Sequence, residues 1–372
     1  MKIIIANSHS QLTESTPEQF KAIKKLLSYE PDPQARFFSG NFGASLSLLS
    51  KAGDFPTGLL PRVLAYAKET NTPIQQIDTR VLPEPSRRLY TLGRYPAPYP
   101  AQIVAVDACK RLHRGTVVMP TGTGKSLTLA LLVEALQMRT LIVVPNLSLK
   151  TQLTDSIKAW FGDTPHIVVE NIDSARLDAL TDFDCLIVDE AHHVAAKSYR
   201  KLNKIAWKGI YYRFFFTATP FRSKDEEQML MESISGSVVY KLHYEHAVDN
   251  KMIVPVEAYY VTLPKVEVEG HTWAQVYSEI VVKNTFRNNV ITDLMLRLHT
   301  QKQSTLCLVK EVAHGNTLTN GGAFLFANGK DSNTTQLVES FNAEKTTVLI
   351  GTNGVIGEGV DTRPCEYVII AG

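Results

Sequence analysis

The sequence predicts an α/β chain: two parallel-sheet domains behind a small amino-terminal α/β domain. Three observations carry this. From Gln102 onward, short apolar strands alternate with helical patterns, as in parallel sheets covered on both faces. Pro83, Pro85, Pro96, Pro98 and Pro100 set the first eighty or so residues apart, because such proline density suits neither a helix interior nor a central strand. A glycine-rich turn, Gly122–Ser126, lies where a strand gives way to a helix. At 372 residues, two to three domains are expected, with boundaries at 1–88, 89–252 and 253–372.

The amino-terminal domain opens with a strand at Ile3–Ala6. A helix follows, with Thr16 as cap, Pro17 at its first position and Gln19 completing a capping box; Phe20, Ile23 and Leu27 share a face. A second helix is expected at Leu59–Lys68. In the next domain, helices are predicted at Gln102–Leu112, Ser126–Gln137 and Ser148–Phe161. Strands are predicted there at Thr116–Met119, Thr140–Val144, Ile167–Val169, Cys185–Val188 and Arg213–Phe216. The last domain offers strands at Val256–Thr262, Thr305–Val309, Ala323–Phe326, Thr347–Ile350 and Tyr367–Ile370. Between the first two lies a helical region with Trp273, Val276, Tyr277 and Ile280 at helical spacing.

Composition excludes several classes. Apolar residues make up 44%, too many for a disordered chain. A net charge of +2 supplies no broad positive field, so nucleic-acid binding would need its basic residues clustered. Cys109, Cys185, Cys307 and Cys365 fall in no paired metal spacing, which suits reduced thiols in a cytoplasm. The run at Ile3–Ala6 is too short for a signal peptide, and no stretch approaches membrane-spanning length, so no membrane partner is expected.

Two segments carry chemistry. In Met119-Pro120-Thr121-Gly122-Thr123-Gly124-Lys125-Ser126, the glycines let backbone N–H groups converge on phosphate oxygens at a helix N-terminus. Lys125 is expected to reach the β- and γ-phosphates of ATP, and Ser126 to ligate Mg²⁺. Met119 stands where that pattern usually has glycine. In Leu186–His192 a buried strand delivers Asp189 and Glu190 at its C-terminal end; Asp189 is assigned to Mg²⁺ and Glu190 to the attacking water. His193 reads as a packing or surface residue. A third strand end carries Phe216-Thr217-Ala218-Thr219-Pro220, whose Thr217 and Thr219 are placed to couple hydrolysis to a neighbouring surface.

With these in order, the chain from about Tyr90 to Gly372 resembles superfamily 2 helicases of the DEAH-lettered kind, built from two RecA-like domains. Asp189–His193, Tyr212-Arg213 leading into Thr217–Pro220, Arg287-Asn288 and His314-Gly315 are similar to the phage UvsW-type helicases, relatives of RecG and the type I restriction motors. The resemblance implies that Gln102 reads adenine, with its aromatic neighbour displaced to Tyr99. It implies that Pro145, Asn146, Gln152, Lys310, His314 and Thr352 touch the nucleic-acid backbone, with Ile172-Asp173-Ser174 a weaker match. It places Gly359 and Asp361 at the ribose–phosphate side of ATP. Arg287-Asn288 reads equally as a surface charge on a helix. The small first domain matches by position the DNA-binding domain of UvsW-type proteins, which remodel branched DNA.

The expected function is thus an ATP-dependent, Mg²⁺-requiring translocase on branched or duplex DNA, independent of base sequence and monomeric. A restriction motor is an alternative; Pro31-Asp32 could begin its nuclease site, but no acidic-x-Lys follows in the first ninety residues. An RNA helicase and a nucleotide-gated, non-catalytic DNA binder are the others. The chain closes on Val368-Ile369-Ile370-Ala371-Gly372, where the resemblance implies that a glutamine and an arginine-rich segment should follow. A truncated form of the protein is therefore expected, with the second sheet domain incomplete. It would bind nucleotide but hydrolyse it poorly, since such an arginine is worth about 10³–10⁵ in rate.

Overall fold

A computed structural model describes residues 1–30, 45–85, 91, 93, 95–219, 225–265, 272–319, 321–329, 333–356, 362 and 365–372. The chain divides into two compact units, Met1–Val256 and Glu257–Gly372.

The first unit begins with a mixed sheet. Strands β1 (Lys2–Ile5), β2 (His9–Thr13), β5 (Asp54–Pro56) and β6 (Gln75–Asp78) lie in the order β5-β2-β1-β6, with β1 and β6 parallel and the other pairs antiparallel. The short pair β3 (Ser28–Tyr29) and β4 (Leu46–Ser47) stands apart. Helix α1 (Pro17–Leu26) starts on the expected capping box, with Thr16 accepting from Gln19 N and Gln19 from Thr16 N. It and α2 (Leu60–Glu69) cover the sheet with Ile23, Leu27, Leu60 and Val63.

Six parallel strands then form the sheet β12-β7-β11-β10-β8-β9: β7 (Arg114–Val118), β8 (Thr140–Val144), β9 (Ile167–Asn171), β10 (Cys185–Val188), β11 (Tyr212–Thr217) and β12 (Val238–Lys241). Every residue of β8, β10 and β11 is buried. The alternation of strand side chains divides them between two cores. Ile142, Val144, Ile187, Phe214 and Phe216 enter one; Leu141, Val143, Leu186, Val188 and Phe215 enter the other. Helices α3 (Pro100–Leu112), α4 (Lys125–Leu136), α5 (Leu147–Phe161) and α8 (Tyr244–Asp249) supply the first core; α6 (Lys197–Lys204) and α7 (Asp225–Ser235) supply the second.

The second unit repeats the plan on four parallel strands, β14-β15-β13-β16: β13 (Thr305–Val309), β14 (Leu325–Ala327), β15 (Val348–Thr352) and β16 (Tyr367–Ile370). Its helices are α9 (Trp273–Tyr277), continued by a π-helical turn at Ser278–Val282, α10 (Thr285–Thr300), α11 (Val312–Leu318), α12 (Thr334–Asn342) and α13 (Asn353–Ile356). The fold class is therefore as expected. One strand is not: residues 256–262 have no regular secondary structure. Their β-type apolar and aromatic residues find no pairing strand among the described residues, and Tyr259 and Tyr260 stand 82% and 93% exposed. A β pattern without a neighbouring ladder leaves its N–H and C=O groups to water.

None of the four cysteines forms a disulfide, and burial pushes the thiols of Cys109 and Cys307 up to about 12. Among the described residues no helix is long and apolar enough to cross a membrane. Because Phe215 is wholly buried in the second core of the six-stranded sheet, Phe215→Ala is expected to cost about 3–5 kcal/mol of stability, measured by denaturant unfolding of the whole chain.

Candidate active site at the carboxyl edge of the six-stranded sheet

Strands β7, β11 and β10 are neighbours, and each ends in one of the expected segments. Beyond β7 the chain turns through Gly122 (φ +83°) and Gly124 (φ +76°) before α4 starts at Lys125. Both glycines hold the left-handed conformation that disfavours side chains. Thr123 is buried, its hydroxyl donating to Pro120 O at 2.7 Å, while Gly122, Gly124 and Ser126 stay exposed. Gln102 fastens this loop from α3. Its Nε2 donates to Thr123 O (3.0 Å) and Gly124 O (3.2 Å), and its Oε1 accepts from Tyr99 N (2.9 Å). A Cβ at Gly124 would stand 2.5 Å from that Nε2, so the two positions are fitted to each other.

Beyond β10, Asp189 N continues the ladder to Val143 O (2.9 Å), and Asp189 Oδ1 accepts from Glu190 N (2.9 Å). Glu190 takes a left-handed conformation (φ 47°), which turns its carboxylate out of the strand line. Its Oε1 lies 3.9 Å from Lys125 Nζ and its Oε2 3.2 Å from His192 Nδ1. His192 Nδ1 also lies 3.4 Å from Thr217 Oγ1 at the end of β11, and Thr219 N donates to that same oxygen (3.2 Å). One imidazole nitrogen thus stands between the acidic pair and the threonine segment.

The two carboxyls are driven apart. Burial, then the charge of Glu190, raises Asp189 to about 6. The hydrogen bond from His192, aided by Lys125, lowers Glu190. Asp189 is therefore a carboxylate in need of a cation, and Glu190 is one held ionised. Among the described residues no cluster of three or more His, Cys, Asp or Glu side chains could cage a metal. A Mg²⁺ ion would take Ser126 and Asp189 and complete its shell with water and phosphate oxygens. The residues fit a phosphate with its cation: two left-handed glycines leave the loop clear of side chains, Lys125 offers the phosphates an ammonium 3.9 Å from Glu190 Oε1, and Asp189 offers the cation a carboxylate.

Residues 95–179 and 165–222 match a family described as the type III restriction enzyme, res subunit. These matched residues hold the site just described. Over 158 residues, 39% of the chain, the sequence is 33% identical to the DNA 3'-5' translocase XPB2 of Sulfurisphaera tokodaii. The chain spans little more than a third of the length of the curated relatives it matches, 35% and 37%. Two structures of UvsW from bacteriophage T4 share the fold. One aligns with 100% of this chain and 83% of its own length at 17% identity and a TM-score of 0.52. The other aligns with 64% of this chain and 99% of its own length at 19% identity and the same TM-score.

The remaining expected residues are scattered. Asn146 caps α5, its Oδ1 accepting from Leu149 N (2.9 Å); Pro145 and Gln152 are half-buried beside it. In the second unit Lys310 is exposed, its ammonium 5.0 Å from the centre of the Tyr277 ring. Thr352 is buried, and His314 is fully buried with Nε2 3.0 Å from Asn288 Oδ1. Burial and Arg287 lower His314 to about 4, so the ring is neutral and offers no surface to a phosphate. Arg287 and Asn288 are not a surface charge: the guanidinium donates to Ala371 O, and Asn288 Nδ2 donates to Val282 O (2.8 Å). Pro31, Asp32, Pro220, Gly359 and Asp361 lie outside the described residues.

Sequence reasoning missed an ion cluster at the ends of β8 and β9. Buried Glu170 holds Lys150 Nζ (2.9 Å) through Oε2 and Arg176 (3.1 Å) through Oε1. No spacing signals it, because the three residues come from separate elements.

The Asp189 shift has a signed consequence in the absence of nucleotide and metal. Its folded value exceeds the unfolded one, so the ionised carboxylate opposes folding, and stability falls as pH rises from about 4 to about 6. Asp189→Asn is expected to stabilise the chain at pH 7–8 by on the order of 1–3 kcal/mol, with the gain vanishing near pH 4. Thermal unfolding of both forms across that range checks it; equal stability at pH 8 would refute the assignment.

Proposed function

We propose that this chain is an ATP-driven DNA translocase or helicase that remodels branched DNA in replication, recombination or repair. The observation that carries the reading is the meeting of three segments on three adjacent strand ends, with His192 joining Glu190 to Thr217. ATP and Mg²⁺, when bound, supply the phosphoanhydride and the charge that the site neutralises.

The chain's own residues divide the work. Backbone N–H groups of Gly122 and Gly124, with Lys125, would hold phosphate oxygens, Thr123 shaping the loop by donating from its own N–H to Pro120 O; Ser126 and Asp189 would hold the cation. Glu190, kept ionised by His192, orients and polarises the attacking water. Thr217 and Thr219 carry the state of that carboxylate toward the surface through His192. Gln102 braces the loop, its amide engaged by Thr123 and Gly124, and its adenine contact would use the remaining face. Gly359 and Asp361 are assigned to the nucleotide, and Pro145, Asn146, Gln152, Lys310 and Thr352 to the DNA backbone, with His314 supporting them from within. The 33% identical relative is a DNA translocase, which favours DNA over RNA as the polymer. Backbone contacts of this kind are independent of base sequence and weaken steeply with salt. The protein would act as a monomer in a cytoplasm, that of the host if it is phage-encoded.

The test is ATP turnover with forked, Holliday-junction, linear duplex and single-stranded DNA, with single-stranded RNA alongside. Branched DNA is expected to stimulate most; stimulation by RNA alone would remove the reading. Glu190→Gln should lower turnover about 10²–10⁴-fold while nucleotide still binds. Lys125→Ala should lose nucleotide binding, and retention of full affinity would disprove the phosphate-loop assignment. The family description favours a second reading, a restriction motor. Strand cuts in the same reactions would support it.

A further inference from the structure

Helix α7 belongs to two hydrophobic cores at once. Met231 and Ile234 are buried with Ala191, Val194 and Phe215, in the core behind the acidic pair. Met229 and Leu230 are buried with Leu59, Leu60 and Val63, in the core of the amino-terminal sheet. Ala195, just past the acidic segment, packs against that second core as well. An ion pair crosses the same seam: Arg62 Nε donates to Glu232 Oε2 at 2.6 Å, while Gln228, one turn back on α7 itself, donates from Nε2 to Glu232 Oε1 at 2.7 Å. Gly58 runs so near α7 that a Cβ there would stand 2.2 Å from Glu232 O and 2.5 Å from Ser233 O. A second seam ties Asn7 to the six-stranded sheet: Arg114 Nη1 donates to Asn7 O (3.0 Å), and Asn7 Nδ2 donates to Gly209 O (3.0 Å).

We propose that the amino-terminal sheet is a working part of the hydrolysis site: through α7 it holds the turn Ala191–Val194 and so sets where Glu190 and His192 stand. This rests on the ATPase reading above. Glu190 sits in a left-handed conformation, which surrounding structure must maintain. The bonds that maintain it run downstream, from His193 N to Glu190 O (3.2 Å) and Val194 N to Ala191 O (3.1 Å), into residues packed on α7. A close-packed interior passes displacement on, and a base that aligns water loses rate when moved by fractions of an ångström. A domain that only tethered DNA would need no such seam. Arg62, Glu232 and Gly58 are thus positioning residues, remote from the reacting atoms.

The experiment uses the whole chain with Arg62→Glu, Glu232→Arg and the two combined. Each single variant is expected to lower kcat at least about threefold, with nucleotide Kd and KM held within about twofold. The charge-swapped pair should restore kcat. Hydrogen exchange should quicken at residues 191–199 as well as in α7 in the single variants, and return to normal in the pair. Gly58→Ala should reproduce the kcat loss by a steric route. The proposal is overturned if α7 exchanges faster while kcat and residues 191–199 are unchanged, or if the pair fails to restore what the single variants lose. If the unaltered chain turns over no ATP with any DNA, the ATPase reading falls instead. Exchange at 191–199 then decides alone whether the sheet holds that turn.

Discussion

Burial of adjacent parallel strands on both faces is the constraint on which the rest of this molecule depends. In β8, β10 and β11 every residue is buried, so polar groups that must meet a ligand are left to the strand ends. Asp189 is the first acidic side chain past the apolar run of β10, and its backbone still belongs to the ladder. Thr217 closes β11 in the same way, and Gly122 and Gly124 follow β7. Because β7, β11 and β10 are neighbours, three segments far apart in sequence meet: His192 joins Glu190 to Thr217, and Lys125 Nζ lies 3.9 Å from Glu190 Oε1. The position of the site is a consequence of the sheet order and not of any local sequence.

The same burial sorts the two carboxyls. Adjacent in sequence, they would titrate alike in water. Asp189 is closer to the core and feels both burial and its neighbour's charge, so it rises; Glu190 swings outward to His192 and Lys125, so it falls. Environments that push a pair apart are how a fold assigns separate roles to like groups. One carboxylate is left wanting a cation, and the other remains a stable anion. The left-handed backbone at Glu190 makes this separation possible, since an extended residue would have continued the ladder.

Much of this was legible in the sequence, for physical reasons. Buried strands read as unbroken apolar runs, and Thr140–Val144, Cys185–Val188 and Thr305–Val309 stand where expected; the apolar run Tyr367–Ile370 does so too, as an edge strand with three of its four residues exposed. The Thr16 cap and its glutamine have only one common use. The amino-terminal strands were harder. His9–Thr13 and Gln75–Asp78 are polar, and all four residues of the latter are exposed, so no periodicity marks them. Residues 256–262 failed in the opposite direction, since β-type residues were present and, among the described residues, a partner strand was not. In the site, residue types with narrow chemistry were legible: glycines at a turn, a lysine, an acidic pair. The bond from His192 to Glu190 was not, because it depends on how tightly the turn after Glu190 closes.

Residues that a family pattern marks for ligand contact need not carry free polar atoms. Gln102 has its amide engaged by Thr123, Gly124 and Tyr99; Asn146 spends its carbonyl on Leu149; His314 is bonded to Asn288 in a closed interior. Near a strand end the backbone itself is short of partners, and an unsatisfied buried group costs more than a made bond returns. Such side chains are therefore recruited first to complete the protein. Their influence on a ligand passes through the shape they impose: the loop that Gln102 braces, the helix start that Asn146 fixes, the α10–α11 packing that His314 and Asn288 lock. Lys310 differs in kind. It is exposed, and what its ammonium meets is the face of an aromatic ring. Cation–π attraction at an exposed site is weak and leaves the ammonium open to solvent. Within the second unit, direct recognition of a phosphate is thus better sought at Lys310, and alignment of the surface around it at His314.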